Sequence, residues 1–216
     1  MTVTPGVERM ERPPESLWRR VLAEPDRAPE HVALAAAERF APQVERWVHI
    51  AGPGHTPDEL ARFAYRKHVR LARVEGAALG IGGAATAAAD LIALLWLQSR
   101  MVLYIAAAYG YEPRHPMRPA ELLALQELYP TPAEAREALD GVGKHLAHAV
   151  AERAMRGGNP LHRRLLKYAA KRLARRYGAR LVPLLGAPLG AIQNAGATKQ
   201  LGRRAIAYYG GPQARP

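Results

Sequence analysis

Apolar residues recur every three or four positions along most of this chain and nowhere alternate, a pattern that predicts helices and no strands. A first helix opens near Glu15 and carries Leu17, Trp18 and Val21. After a Pro-containing break at 24–29, a long helix over about 30–50 sets Val32, Ala36, Phe40, Val44 and Trp47 on one stripe, and Gly52-Pro53-Gly54-His55 ends it. Thr56-Pro57-Asp58-Glu59 then combines an N-cap residue, proline at the first helical position and acids in the first turn. In the helix that follows, Leu60, Phe63, Ala64, Leu71 and Val74 are assigned to the buried face, and Arg62, Arg66, Arg70 and Arg73 to another face.

The pattern breaks at 80–83 and resumes as a helix over 84–109, with Gly110 as a left-handed stop. A short helix is expected over 119–129. Thr131-Pro132-Ala133-Glu134 is a second capping start, for a helix reaching about 156. A strongly basic helix, 161–185, and a small-residue helix, 187–209, complete an all-α reading: a single helical bundle of about seven helices with Gly/Ala-rich central members. Residues 1–14 read as a disordered arm, 15–210 as the domain and 211–216 as a flexible tail.

The segment 77–97, AALGIGGAATAAADLIALLWL, has the length of a membrane span. Its glycines, its alanine-rich turns and Asp90 favour a helix or helix pair buried in a soluble bundle, with a hairpin that enters a bilayer conditionally as the alternative.

Charge changes the picture most. Of 31 Lys and Arg, fourteen fall between Arg153 and Pro216, a stretch of 64 residues without one acid. Residues 1–152 hold the other 17 against all 19 acids, a net charge of −2 beside +14. Asymmetry on this scale points to an anionic partner for one region of an otherwise ordinary body. The absence of cysteine excludes disulfides, thiolate metal sites and a cysteine nucleophile. The first residues lack an apolar signal core, so a cytoplasmic location is expected, with peripheral attachment at the inner face of the membrane.

Few residues suggest chemistry. Asp90 stands among alanines and leucines, where a charge is costly without a partner. Gln98 lies two turns on, and Gln193 and Asn194 interrupt the last helix. These four read as a register-fixing polar network or as contacts to a ligand. A lone acid without a base or nucleophile beside it is a weak catalytic signal, so no catalytic residue is assigned and a non-enzymatic protein is expected. His145 and His148 lie one turn apart but lack the Glu-x-x-His pattern of bundle metal sites. Gly80-Ile81-Gly82-Gly83 meets neither phosphate-loop nor dinucleotide fingerprint. Neither metal nor cofactor is expected. Gly76 and Gly80, and likewise Gly186 and Gly190, are small residues four apart that let helix backbones approach closely.

The basic helix sets Arg163, Arg164, Lys167, Lys171 and Arg175 opposite Leu165, Leu166, Ala169, Leu173 and Tyr177. Cations beside aliphatic residues suit an anionic phospholipid surface. Nucleic acid is a less favoured partner, because no helix-turn-helix or stacking platform accompanies the charge. A protein partner with an acidic surface is the remaining class.

Ala89-Asp90-Leu-Ile-Ala-Leu-Leu-Trp-Leu-Gln98, continuing through Met101 to Tyr109-Gly110-Tyr111-x-Pro113, resembles the EcsC family, as does Ala72-Arg-Val-Glu-Gly76 with Gly80 and Gly82-Gly83. Gly186-x3-Gly190-Ala-Ile-Gln-Asn194 and Gly202-Arg-Arg-Ala205-x-x-Tyr208-Tyr209 are similar to its C-terminal half. The resemblance spans roughly 57–210 and also shades into helical domains found beside some bacterial GTPases. It implies a bacterial all-α protein without an established activity. The founding member's gene lies beside an ABC transporter, which implies membrane-linked work or a role as an interaction module. Ala89 stands where many relatives carry proline, so a strict N-cap role for Asp90 does not transfer.

Overall fold

A computed structural model describes residues 11–78, 84–141 and 187–211, and among them every regular element is helical. The order is α1 (Glu15–Ala23), a 3-10 turn (Pro25–Arg27), α2 (Ala28–Ala51), α3 (Pro57–Ala78), α4 (Ala84–Ala108) and α5 (Arg118–Leu125). A helical segment over 132–141, α6, and α7 (Ala187–Gly210) follow. Residues 1–10 of the expected arm lie outside the described residues, as does the stretch 161–185 expected to form a basic helix. From the described end of the arm, the backbone carbonyl of Glu11 accepts a 2.8 Å hydrogen bond from the Trp96 indole.

The capping motifs form as their sequences require. At the start of α3 the Glu59 carboxylate accepts from the Thr56 backbone N–H at 2.8 Å and from its hydroxyl at 2.9 Å, while the Glu59 N–H donates to the Thr56 hydroxyl at 3.3 Å. This reciprocal arrangement satisfies donors that the first turn leaves open, and it holds the Glu59 carboxyl below its ordinary pKa. At 131–134 the Thr131 hydroxyl donates to the Glu134 carboxylate at 3.0 Å and accepts from the Glu134 N–H at 3.2 Å. At the other end of α4, Gly110 takes φ +87°, and the Tyr111 N–H turns back to the Ala106 carbonyl at 3.1 Å. The short helix α5 stops at Leu125 rather than 129, because Glu127 adopts φ 55° and diverts the chain.

Helix α4 is the centre of the bundle, with α2 on one flank and α3 and α7 on the other. Every residue from 95 to 108 is buried, so the helix has no wet face over that stretch. Its Trp96 meets Phe40 of α2 at a ring-centroid distance of 4.7 Å. Among the described residues the window that is long and apolar enough to span a membrane is Ala89–Ala108, starting twelve residues beyond the 77–97 segment expected from sequence, and 78% of it is buried inside the fold. That burial is what a core helix shows.

Helix α7 packs most extensively on α3. A Cβ on Gly202 would sit 2.4 Å from the Tyr65 ring and 3.3 Å from the Met101 methyl, so the absence of a side chain lets three helices meet there. Gly202 therefore has the close-packing role expected of the paired glycines. Gly76 and Gly190 lie within α3 and α7, while Gly80 and Gly186 lie outside the described residues.

Candidate functional site: the basic face of α3 and the adjoining pocket

The turn of α3 explains which side chains reach solvent. Leu60, Ala61, Ala64, His68, Val69 and Ala72 are buried against α4 and α7. Arg62, Arg66, Arg70 and Arg73 are all exposed and share the opposite side, as the spacing predicts. None of the four is ion-paired among the described residues. Phe63, assigned from sequence to the buried face, is instead 45% exposed. It stands at the edge of the arginine face because the interface with α7 is built from small residues, which need less of the helix circumference.

One turn after Phe63, Lys67 enters a pocket of about 420 Å³ between α2, α3 and α4. Trp47 and Tyr104 line it with their rings 4.9 Å apart, and Ile50, 77% exposed, belongs to the same wall. Arg46 and Arg100 add two further cations. Arg100 is 3% exposed, with its guanidinium carbon 5.4 Å from the Phe40 ring centroid and 5.5 Å from that of Tyr104. Two rings thus fix the guanidinium by cation–π contact. Among the described lining residues the acid is Glu11, engaged by Arg39 and by the Gln43 amide, the latter at 2.8 Å.

The polar residues singled out in the sequence do not gather into one site. Gln98 is buried and donates to the Thr198 hydroxyl of α7 at 3.4 Å, a bond between core helices. Asp90 is half-buried, and desolvation raises its carboxyl above the ordinary value. Gln193 and Asn194 lie on the first half of α7, where the backbone alone is described. Arg163, Arg164, Lys167, Lys171 and Arg175 lie outside the described residues, as do His145 and His148.

Two features went unread. Arg100 carried a signal, being a cation within an apolar run, but its convergence with Arg46 and Lys67 from two other helices has no mark in any one segment. The second is a buried polar network around Arg118. Arg118 is ion-paired with Glu121 and donates to the Glu112 carbonyl at 3.1 Å, and the Tyr209 hydroxyl donates to Glu121 at 2.6 Å. The Arg118 guanidinium also lies 5.3 and 5.7 Å from the ring centroids of Tyr111 and Tyr209. Burial, reinforced by Glu121, raises the Tyr209 phenol well above its ordinary value. Nearby on the fold, Tyr109 donates to Asp58 at 2.6 Å and is pushed up to about 12, chiefly by burial. Its ring also abuts Gly210, where a Cβ would lie 2.9 Å away.

The EcsC protein family model matches residues 55–210, and the chain belongs to that family. An uncharacterized Bacillus subtilis (strain 168) protein, YdbA, is 42% identical over 57 residues, 26% of this chain and 21% of that protein. The chain therefore matches about a fifth of that relative's length. No solved structure matches.

Proposed function

We propose that this EcsC-family protein docks peripherally on an anionic membrane surface and catalyses no reaction of its own. The observation that carries the reading is the outer face of α3. Four exposed arginines lie there without ion-pair partners among the described residues, and among the same residues the exposed large apolar side chains are Phe63 of α3 and Ile50 of α2. Cations near a charged leaflet contribute about 1 kcal/mol each, and exposed apolar side chains beside them add burial at the interface. The run of basic residues from Arg153 onward supplies further charge of the same sign.

Helix α4 favours attachment over insertion, since its apolar window is already buried in the bundle. A second reading, an interaction module serving a transporter or GTPase, draws on the same arginine face meeting an acidic protein. A third, nucleic-acid binding, draws on charge alone. Co-sedimentation with anionic and neutral vesicles at low and moderate salt tests the first reading. Salt-sensitive pelleting with anionic vesicles alone, resistant to excess duplex DNA, supports it. Release by DNA moves the surface to nucleic acid, and failure to pellet at all leaves an acidic protein partner, to be sought by co-purification.

A further inference from the structure

The arginine row of α3 does not end at that helix. Helices α3 and α7 run antiparallel: Tyr65 of α3 packs on Gly202 of α7, and Tyr109 joins the start of one to the end of the other, donating to Asp58 while its ring lies against Gly210. A helical turn of about 100° per residue then fixes which side chains of α7 face outward. Thr198 meets Gln98 of α4 and Gly202 meets Tyr65 of α3, so rotation in that sense leads from the core, past α3, to the outside. Lys199 and Arg203 come next, about 60° and 100° beyond Gly202. Arg204, about 200° beyond, lies on the far flank, where it is ion-paired with Glu127. The same order holds on α3: His68 meets the Tyr104 ring of α4, Tyr65 faces α7, and Arg62, Arg73, Arg66 and Arg70 follow outward. Because the two helices are antiparallel, these equal senses of rotation bring both sets of cations to one side of the α3–α7 layer.

Arg203 is exposed and Lys199 half-buried, and neither is ion-paired among the described residues. Helix α7 belongs to the stretch from Arg153 onward that holds no acid. The acids at the start of α3 are engaged locally, Asp58 by the Tyr109 hydroxyl and Glu59 by Thr56. Six cations are thus spread in two dimensions, roughly 16 Å along α3 and one helix spacing, about 8–10 Å, across. They do not converge on a single point, so they match a plane of separate negative charges better than one multivalent headgroup.

We propose that the α3–α7 layer is the docking face, with Lys199 and Arg203 on it, and that its partner is a bilayer of monovalent anionic lipids read by charge density and not by headgroup. The inference rests on the membrane reading and adds to it a second helix and a class of lipid.

Co-sedimentation of the full chain with phosphatidylcholine vesicles carrying equal fractions of phosphatidylserine or phosphatidylglycerol tests it. The wild type is expected to bind the two within fivefold of each other. Lys199→Gln with Arg203→Gln is expected to weaken that binding at least fivefold at an unchanged thermal midpoint. Arg203→Glu, the same change in charge at the exposed position alone, is expected to do at least as much. Arg12→Gln with Arg19→Gln removes two exposed cations in and before α1 and is expected to stay within twofold. A loss under fivefold in both α7 variants, with loss in the Arg62/Arg66/Arg70/Arg73→Gln variant, would overturn this inference and leave the membrane reading standing. A preference beyond fivefold for one headgroup, or an equal loss in the Arg12 and Arg19 variant, would overturn it as well. Wild-type protein that stays in solution with both vesicles, or is stripped from them by excess duplex DNA, would contradict the membrane reading itself.

Discussion

Two groups of arginine sit in different parts of this bundle and are handled in opposite ways. Arg118 is buried, ion-paired with Glu121, bonded to a carbonyl and faced by two tyrosine rings. Arg62, Arg66, Arg70 and Arg73 are exposed on one side of α3, with no acid paired to them among the described residues. A buried cation must be compensated or the fold loses stability, so every donor and ring around Arg118 acts on the folding equilibrium. An exposed cation needs no partner inside the molecule, and a row of one sign is unfavourable to itself, which leaves it available to an external anion. The same residue type is thus structural in the interior and, on the reading proposed here, a docking surface on the outside.

The largest effect expected from breaking this division is at Glu121. Glu121→Ala strips Arg118 and Tyr209 of their shared partner and leaves a buried charge, so a loss of about 3–5 kcal/mol is expected in denaturant unfolding. Vesicle binding by the remaining folded protein should be unchanged. The converse variant, with Arg62, Arg66, Arg70 and Arg73 all changed to Gln, should keep the wild-type unfolding midpoint. Its binding to anionic vesicles should fall by tenfold or more, since each cation is worth about 1 kcal/mol at a charged leaflet.

Between these extremes lies Gly202→Ala. Its new methyl would meet the Tyr65 ring at 2.4 Å and push α7 from α3, at an expected cost of about 1–3 kcal/mol in thermal or chemical unfolding. A smaller effect belongs to His31, which is fully buried with Glu24 2.8 Å away. Burial outweighs that carboxylate and holds the imidazole below its ordinary 6.5. The unfolded chain therefore takes up a proton that the native state resists. Stability should fall as pH drops below 6.5 and return above it, and His31→Gln should flatten that slope in pH-dependent unfolding. The smallest effect is expected for Asp90→Asn. Desolvation raises the native carboxyl, so the ionised form disfavours folding at neutral pH, and the amide should leave the midpoint equal or slightly higher.

How far these positions could be read in advance depends on whether their cause is local. The capping pairs Thr56–Glu59 and Thr131–Glu134 and the stop at Gly110 are encoded within a few residues, and all form as expected. The arginine face follows from helical spacing alone. Phe63 was misassigned because the stripe rule gives a large apolar residue the buried side, whereas alanines and Gly202 narrow the interface that α3 buries. The interior of α4 gave no stripe to orient it, because each residue from 95 to 108 is covered. The Arg118–Glu121 spacing is visible within α5, yet its third member, Tyr209, is 88 residues distant from Glu121. The pocket, likewise, exists only where α2, α3 and α4 converge.

The exposed arginines of α3 face an anionic membrane on this account, and co-sedimentation of the full chain and its Arg62/Arg66/Arg70/Arg73→Gln variant with anionic vesicles tests it most directly. The account predicts salt-sensitive pelleting of the wild type in the presence of excess DNA, and at least a tenfold loss in a variant that unfolds at the same midpoint. Equal pelleting of the two proteins, or wild-type binding indifferent to lipid charge, would contradict it.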